Sequence, residues 1–254
     1  MNEILKRYDV EVRANPTGRP GMHVVRDTHV TYLEGSTNFV CWWNFSEAQA
    51  AQEVSRLVQR FRQRGESLMW RVFDHDQPKN LSACLSDEGF TSSPQGTLMV
   101  LSLAEYQAAN LTHDIREVTT PEGLRDYLSV AAAAFGSVDE GAFDDLLPLL
   151  DHPNYLLYCG YADNVPVTSG RLNTTPNAAF GLLFGGGTVP AHRGKGYYRA
   201  LVQARAAVAR ERGLSYLTTE AWDTSRPILE TMGFNMLDKE TTWVLPVGSA
   251  PTGG

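Results

Sequence analysis

Residues 189–198 read VPAHRGKGYY and connect a predicted strand to a long amphipathic segment whose hydrophobic spacing predicts a helix. A strand, a loop and a helix start in this order favour anions, because successive backbone N–H groups point inward and the helix dipole is positive at this end. Gly194 and Gly196 let the backbone approach a phosphate without a Cβ in the way. Arg193 and Lys195 add cationic donors. The stretch therefore predicts a site for a pyrophosphate group.

Spacing excludes two common phosphate-binding loops. The Walker A loop requires Ser or Thr after its lysine, and here Lys195 is followed by Gly196. The dinucleotide-binding fingerprint requires a third glycine at a fixed distance, and none follows Gly194 and Gly196 at that spacing. The remaining alternative is a basic helix start at a surface turn.

The loop resembles the CoA-binding motif of the GNAT superfamily of N-acetyltransferases, written R/Q-x-x-G-x-G/A. Residues 193–197 fill its first five places, whereas Tyr198 stands where the family has a small residue and would crowd the helix start. The resemblance spans Asp114–Leu245. It includes residues 225–234, SRPILETMGF, which look like the family's segment over the far side of CoA. Because both motifs occur in the family's order, the resemblance implies an acetyltransferase that uses acetyl-CoA.

The resemblance also implies how this cofactor binds. The strand that ends at Val189 and the predicted strand Tyr216–Glu220 should part at a bulge, where three consecutive glycines, 185–187, interrupt the first strand. Pantetheine would pair with exposed backbone groups such as that of Val189, and an N–H near it would stabilise the oxyanion on the acetyl carbonyl. The residues implied in cofactor binding are Thr188, Val189, Arg193, Gly194, Lys195, Gly196, Tyr197, Tyr198 and Ser225.

An ammonium substrate must lose a proton before it attacks a thioester, so a base is expected near the parted strands. Glu220 ends its predicted strand there and is the first candidate, although a solvated strand end would have the same sequence. Asp223 is the second candidate and could equally cap the following helix. His192 is expected to brace the loop or to face water. The cluster Asp74-His75-Asp76 could reach an acceptor site or be solvated.

The group that protonates the departing thiolate in this family is missing. It is a tyrosine four residues before the glycine of a Gly-Phe pair, and Leu229 occupies that place. The role therefore cannot be transferred, and Ser225, Tyr198 or water are the alternatives. Ser225 could also be a helix N-cap or a CoA contact. CoA needs little help in leaving, because thiol pKa values are near ~8.5.

The two halves of the chain repeat one order of elements. A helix that ends at Gly65 and a later Gly89-Phe90 pair in the first half parallel Gly213 and Gly233-Phe234 in the second, but the first half has no RGKG loop. The sequence therefore predicts a mixed α/β fold of two GNAT-like halves, each a twisted mixed sheet flanked by helices. The predicted parts are a degenerate half without the CoA loop (1–110), the acetyltransferase domain (111–247) and a disordered tail (248–254). The first half would stabilise the second or line its acceptor pocket.

Local patterns predict where several elements begin and end. Ser46-x-x-Gln49 is a capping box at the start of a helix that Gly65 ends. Asp163-Asn164 is the turn of a β-hairpin. A helix is predicted over Glu140–Leu150, and the first ~20 residues are predicted to be loop-rich with one short helix at most.

Composition narrows the classes of function. The formal net charge of −7 disfavours a nucleic-acid partner, which needs a basic face. Cys41, Cys84 and Cys159 show neither metal-ligand spacing nor a disulfide framework. No stretch approaches the ~18 consecutive apolar residues of a membrane span, and the first ten residues lack the apolar core of a signal peptide. We therefore expect a cytoplasmic protein without a metal or a membrane segment.

The expected activity is transfer of the acetyl group from acetyl-CoA to a primary amine of a small molecule or peptide. The resemblance implies direct attack by the amine, without a covalent enzyme intermediate, and is compatible with a homodimer. One alternative is an enzyme that uses a longer acyl-CoA. An alternative of another class is an acyl-CoA-binding regulatory module without turnover. A transferase acting on aminoacyl-tRNA is disfavoured by the acidic charge and the CoA-type loop.

Overall fold

The computed structural model describes residues 2–108 and 112–247, so the predicted tail (248–254) and the residues next to the predicted boundary (109–111) lie outside the described residues. The helices are α1 (Glu3–Tyr8), α2 (Glu47–Arg64), α3 (Leu81–Asp87), α4 (Pro121–Phe135), α5 (Ala142–Leu146), α6 (Tyr197–Glu211) and α7 (Arg226–Glu230). The strands are β1 (Met22–Arg26), β2 (Val30–Gly35), β3 (Phe39–Trp43), β4 (Leu68–Phe73), β5 (Thr91–Ser92), β6 (Gly96–Ser102), β7 (Asp114–Glu117), β8 (Tyr155–Ala162), β9 (Val165–Thr174), β10 (Phe180–Thr188), β11 (Tyr216–Ala221) and β12 (Asn235–Leu245).

The chain forms two compact units that are not continuous in sequence. Unit 1 holds the described residues up to Leu98, residues 221–223 and the described segment from Met236; unit 2 holds residues 99–220 and 224–235. This division differs from a single boundary near residue 110. The second strand after Gly89-Phe90, β6, belongs mostly to unit 2, and the strand after Gly233-Phe234, β12, belongs mostly to unit 1. An edge strand offers unpaired N–H and C=O groups to any strand that reaches it. No local sequence pattern therefore determines which unit β6 and β12 join.

Unit 1 is built on a sheet with the strand order β1-β2-β3-β4-β12, and β5 also pairs with β12. Only β3 and β4 run parallel among these pairs of described strands. Helix α2 contributes one apolar face to the core of this unit, which also contains Tyr32, Trp43 and Trp70. The buried residues on that face are Ala50, Val54, Leu57, Val58 and Phe61.

Both predicted ends of α2 are confirmed. The Ser46 N–H donates to Oε1 of Gln49 at 3.0 Å, so the Gln49 side chain satisfies an amide that the helix leaves unpaired. Gly65 ends the helix with φ of 66°, and its N–H donates to the Arg62 carbonyl at 3.0 Å. A residue with a Cβ would be strained there, which is why the helix ends at a glycine.

Unit 2 is built on a sheet with the strand order β6-β11-β10-β9-β8-β7, in which β10 and β11 run parallel. The predicted hairpin is confirmed: β8 and β9 pair antiparallel up to Ala162 and Val165. Asp163 and Asn164 form its two-residue turn with φ of 50° and 61°. Two positive φ values are the signature of a type I′ turn, whose twist matches that of the flanking strands.

Helix α4 begins where its sequence signals place it. The Thr120 hydroxyl accepts from the Gly123 N–H at 3.2 Å, and Pro121 occupies the first turn. Leu124, Tyr127 and Val130 then enter one core cluster of unit 2, together with apolar residues of β8. This helix therefore lies against the sheet strands that lead to the candidate site.

The arrangement repeats between the units. In unit 1, β2 and β3 pair antiparallel, α2 follows β3, and β4 returns parallel to β3. In unit 2, β9, β10, α6 and β11 have the same order and directions. The predicted fold class, a mixed α/β protein with a mixed sheet flanked by helices, is confirmed.

Two predicted segments differ in the structure. The predicted helix Glu140–Leu150 is shorter: α5 covers Ala142–Leu146 and a 3₁₀ turn covers Leu147–Leu149. Pro148 lacks an N–H and its ring crowds the preceding turn, which explains the break. The first residues are more helical than predicted, because a π-helical turn, Asp9–Arg13, continues α1. None of the described helices has both the length and the apolar character needed to cross a bilayer.

Candidate functional site

Strands β10 and β11 part inside the sheet of unit 2. Their parallel pairing ends at Leu183 and Thr219, with no further pair among the described residues. Toward β9, β10 carries a bulge between Phe184 and Gly187, as the three consecutive glycines predict, and Gly185 there has φ of 58°. The bulge and the missing pairs leave a gap beside the C-terminal end of β10.

One backbone amide at the end of β10 is turned toward this gap. The Val189 N–H donates to the Val167 carbonyl at 2.9 Å, which makes these residues a hydrogen-bonded pair of the β9–β10 ladder. Bonded and non-bonded pairs alternate along an antiparallel ladder, so the preceding Thr188 directs its N–H and C=O away from β9. The prediction of exposed backbone groups at Val189 itself is wrong, because Val167 accepts its N–H and His192 donates to its carbonyl. The N–H expected near Val189 is available at Thr188, which is also among the residues predicted to bind the cofactor.

The loop between β10 and α6 presents a run of backbone amides without protein acceptors. The amides of His192 and Arg193 close the 3₁₀ turn Pro190–His192 by donating to the carbonyls of Val189 and Pro190. The next amide with a backbone acceptor is that of Ala200, which donates to the Gly196 carbonyl at 3.0 Å. Over the described residues, the amides from Gly194 to Arg199 donate to no backbone carbonyl, and no side chain caps α6. A helix start in this state is a ready anion site.

Both glycines of the loop adopt left-handed backbone conformations. Gly194 has φ of 75° and Gly196, the N-cap of α6, has φ of 88°. A Cβ at Gly194 would meet no atom within 4 Å, whereas a Cβ at Gly196 would lie 3.1 Å from the ring of His113. The glycines thus keep the amides uncovered, which is the property that an anion-binding loop requires.

His113 supports the loop and was missed by the sequence analysis. Its Nε2 lies 2.8 Å from the Lys195 carbonyl, to which it donates, and its ring meets the Tyr197 ring edge-on at 4.6 Å. This hydrogen bond fixes the orientation of the peptide between Lys195 and Gly196. No sequence signal marked His113, because it lies 82 positions before Lys195.

The two cations of the loop differ in their surroundings. Arg193 donates from Nε to the Thr188 carbonyl at 3.1 Å and from Nη2 to the Ala134 carbonyl at 3.3 Å. It therefore braces the end of β10 against the end of α4 and keeps its positive charge beside the loop. The Lys195 side chain is exposed. His192, half-buried, lies 5.9 Å from the Tyr197 ring centre, in agreement with a bracing position.

Tyr198 fits at the helix start because the opposing strand residue is a glycine. A Cβ on Gly186 would lie 3.1 Å from Cε2 of Tyr198. Burial raises the pKa of Tyr198, and the charge of Arg205 opposes that rise. A phenol with a raised pKa is a weak acid toward a thiolate. Leu229, in the place of the family's tyrosine, is 0% exposed and serves as a core residue of unit 2.

The candidate base lies where the strands part. Glu220 directly follows Thr219, the last residue of β11 that pairs with β10, and is half-buried. Ser225 precedes α7, and its carbonyl accepts the amides of Ile228 and Leu229 at 3.1 Å. Asp223 is exposed and belongs to unit 1 rather than to the unit that holds Glu220 and Ser225.

In unit 1, His75 and Asp76 of the Asp74-His75-Asp76 cluster are engaged with the N-terminal segment, whereas Asp74 is exposed. Arg13 donates to both carboxylate oxygens of Asp76, at 2.9 and 2.8 Å, and to Asp9 at 2.7 Å. His75 bonds Asp9 at 2.8 Å from Nε2 and Asp238 from Nδ1. Burial raises the pKa of Asp76, and the Arg13 charge opposes that rise.

Arg13 also lies between the ends of two strands. Its guanidinium carbon is 4.4 Å from the ring centre of Phe73 at the end of β4, and 5.2 and 5.3 Å from those of Trp42 and Trp43 at the end of β3. The parallel pairing of β3 and β4 ends earlier, at Val40. The N-terminal segment thus fills in unit 1 the position that corresponds to the gap of unit 2.

The His75 contacts predict a pH dependence of stability. Burial alone would lower the pKa of His75, but its hydrogen bonds to Asp9 and Asp238 raise it above the ordinary value. A raised folded-state pKa means that this stabilisation is complete below about pH 6.5, the unfolded value, and is lost as pH rises through the folded pKa. We expect the free energy of unfolding in urea to fall from pH 6 to pH 8.5, and His75→Gln to remove most of that slope. Equal slopes in both proteins would contradict the assignment.

The fold and the site define a class of protein. A mixed sheet with a bulged strand, a gap beside it and an amide-lined helix start is the architecture of an acyl-CoA-dependent acyltransferase. Residues 122–234 match the family model described as "Acetyltransferase (GNAT) family". This part of the chain is a GNAT domain, and the members of that family are acyltransferases.

Solved structures share the fold over almost the whole chain. A GCN5-related N-acetyltransferase from Kribbella flavida has a TM-score of 0.71 at 14% identity, covering 92% of this chain and 91% of its own. A conserved protein of unknown function from Staphylococcus epidermidis has a TM-score of 0.68 at 13% identity, covering 92% and 97%. A tandem GNAT protein from the clavulanic acid biosynthesis pathway has a TM-score of 0.61 at 13% identity, covering 98% and 96%. No curated protein matches the sequence. At these identities the likeness establishes the fold.

Proposed function

We propose that this protein is an N-acetyltransferase that transfers the acetyl group of acetyl-CoA to a primary amine of a small molecule or peptide. The observation that carries the proposal is the run of amides from Gly194 to Arg199 at the start of α6, for which the described part of the chain provides no acceptor and which adjoins the gap beside β10. In this proposal the loop binds the diphosphate and the gap takes the pantetheine. The thioester carbonyl then lies by the Thr188 amide.

Each bond change in the proposed reaction has a residue beside it. The amine nitrogen attacks the thioester carbon, a C–N bond forms, and negative charge develops on the carbonyl oxygen, which the Thr188 N–H would stabilise. The C–S bond then breaks and CoA leaves as a thiolate, while the base takes the proton from nitrogen. Because Leu229 is apolar and Tyr198 is a weak acid, water or Ser225 would protonate the thiolate.

Glu220 is the proposed base, and its removal should lower the rate selectively. We expect Glu220→Gln to reduce kcat about a hundredfold, since general-base catalysis contributes about 10²–10⁴-fold. The dissociation constant of CoA, measured by calorimetry, should change less than about threefold, because the side chain lies at the gap and not at the loop. Glu211→Gln, an exposed residue on α6, is the matched control and should leave both quantities unchanged. An unaltered kcat in Glu220→Gln would clear Glu220 of this role.

We propose in addition that unit 1 holds no cofactor. The start of α2, the counterpart of α6, has its capping position bonded to the Gln49 side chain and carries no glycine-spaced loop. Arg13 fills the place between the ends of β3 and β4. One CoA per chain is therefore expected in a calorimetric titration.

A second candidate function is an acyl-CoA-binding regulatory module without turnover. The core position of Leu229, where the family has its proton donor, favours this alternative. Thiol release separates the two: the purified protein would be mixed with acetyl-CoA and a panel of polyamines, amino acids, aminoglycosides and peptides. Release with one class of amine supports the transferase, whereas tight CoA binding without release for any amine, with acetyl-CoA or with longer acyl-CoAs, supports the module.

A further inference from the structure

Arg205 is a buried cation on the inner face of α6. It is 1% exposed, and no carboxylate within the described residues forms an ion pair with it. The ionisable groups that favour its charge are the phenols of Tyr198, Tyr127 and Tyr158. Burial lowers the pKa of Arg205, yet an arginine keeps its proton inside proteins. A buried charge without a counter-ion is destabilising by itself, so its position calls for a physical reason.

The hydrogen bonds of Arg205 join its own helix to β9, opposite the start of the β10 bulge. Its Nε donates to the Leu201 carbonyl on its own helix at 3.1 Å, and its Nη1 donates to the Arg171 carbonyl of β9 at 3.1 Å. Arg171 is the partner of Phe184, the last residue of β10 before the bulge. Arg205 thus bonds the β9 residue that lies opposite the start of the bulge.

Two glycines make room for the guanidinium. A Cβ on Gly170 would lie 3.0 Å from Nη1 of Arg205 and 3.0 Å from the Cα of Gly186. A Cβ on Gly186 would lie 3.4 Å from Nη2 and 3.1 Å from the Tyr198 ring. A side chain at Gly170 would press on the guanidinium, and one at Gly186 would contact it while pressing on the Tyr198 ring. The cation is therefore packed directly beneath the bulged segment, two residues before Thr188.

We propose that Arg205 is a positioning residue for acyl transfer. It holds the bulge of β10 in place, so that the Thr188 amide faces the gap, and it brings a positive charge beneath the strand along which the thioester carbonyl would lie. This inference rests on the proposed function. A fixed charge in a water-excluded region stabilises negative charge that develops in the transition state, and does so more than it favours the neutral ground state.

The test separates catalysis from binding. Arg205→Met should lower kcat about 30-fold, which corresponds to ~2 kcal/mol in the barrier, and change the dissociation constant of CoA less than about threefold. Arg205→Lys keeps a charge but has one nitrogen for two carbonyls, so its kcat should lie between those of Met and Arg. Arg210→Met, at an exposed site on the same helix, is the control and should match the unmodified protein. Circular dichroism establishes that each variant is folded.

Several outcomes would overturn the inference. A kcat within threefold of the unmodified value in Arg205→Met would do so, and so would CoA binding that weakens as much as kcat falls, because that pattern means general disruption. If Arg205→Met does not fold, Arg205→Lys carries the test: its kcat should fall below that of the unmodified protein while CoA binding persists, and an unchanged kcat would remove the role. CoA binding without thiol release in the unmodified protein would overturn the proposed function and this role with it, whereas normal turnover in the variants would remove the role of Arg205 alone.

Discussion

Replacing Gly194 with aspartate is expected to weaken CoA binding about tenfold to a hundredfold, while asparagine at the same position leaves it within about threefold. Gly194 has φ of 75°, a region that Asn and Asp adopt more readily than other residues, and a Cβ there meets no atom within 4 Å. The two variants therefore fold alike and differ only in charge. A carboxylate beside a diphosphate is repelled by ~1 to 4 kcal/mol at 4 Å, depending on exposure to water.

Calorimetric titration with CoA measures this difference, and ionic strength provides an internal check. Raising the salt from 0.1 M to 1 M shortens the screening length from about 10 Å to about 3 Å. The difference in CoA affinity between the two variants should therefore decrease. Gly196 is less suitable, because a side chain there also presses on His113. Equal affinities in the Asp and Asn variants at low salt would remove the anion site from the loop, and the transferase assignment with it.

Replacing Arg13 with methionine is expected to lower the free energy of unfolding by about 3–5 kcal/mol, the usual effect of removing one partner from a buried ion pair. The side chains of Arg13, Asp9 and Asp76 are 6%, 6% and 7% exposed. Methionine preserves packing against the aromatic rings but removes the guanidinium from two buried carboxylates, of which Asp9 keeps its bond to His75. Burial then favours their protonation, which lowers stability at neutral pH.

Urea denaturation followed by tryptophan fluorescence measures this loss. Arg7→Met is the matched control, since Arg7 belongs to the same N-terminal segment and its ion pair with Glu11, four residues on, is 46% and 21% exposed. An exposed pair of this kind contributes at most about 1 kcal/mol. A loss below 1 kcal/mol in Arg13→Met would mean that the segment does not close the gap between β3 and β4 through its charge.

Local features of the fold could be predicted because each depends on a few neighbouring residues. The Ser46–Gln49 capping box and the end of α2 at Gly65 follow from side-chain reach and from glycine's access to positive φ. The turn at Asp163-Asn164 follows in the same way. The glycines of β10 predicted the bulge, since they interrupt a strand whose other residues favour regular pairing.

The candidate site was predicted only in the part that is continuous in sequence. The loop at 193–197 and the strand before it lie within one continuous segment, so the spacing of their residues was enough to predict an anion site. Which of the two predicted residues, Thr188 or Val189, turns its N–H toward the gap depended on the ladder with β9. His113 and Arg205 reach the site from distant segments. Neither belongs to a pattern that the loop's sequence could reveal.

By itself the sequence determined the mixed α/β class, the glycine-spaced anion loop and the repeated order of elements, because these depend on periodicity and on backbone preferences of single residues. Only the tertiary structure decided that β12 completes the sheet of unit 1, that Arg13 is buried between two carboxylates, and that Arg205 lies beneath the bulge. Such contacts join residues far apart along the chain. Their energies depend on which partners the fold brings within a few ångströms, and no single segment contains that information.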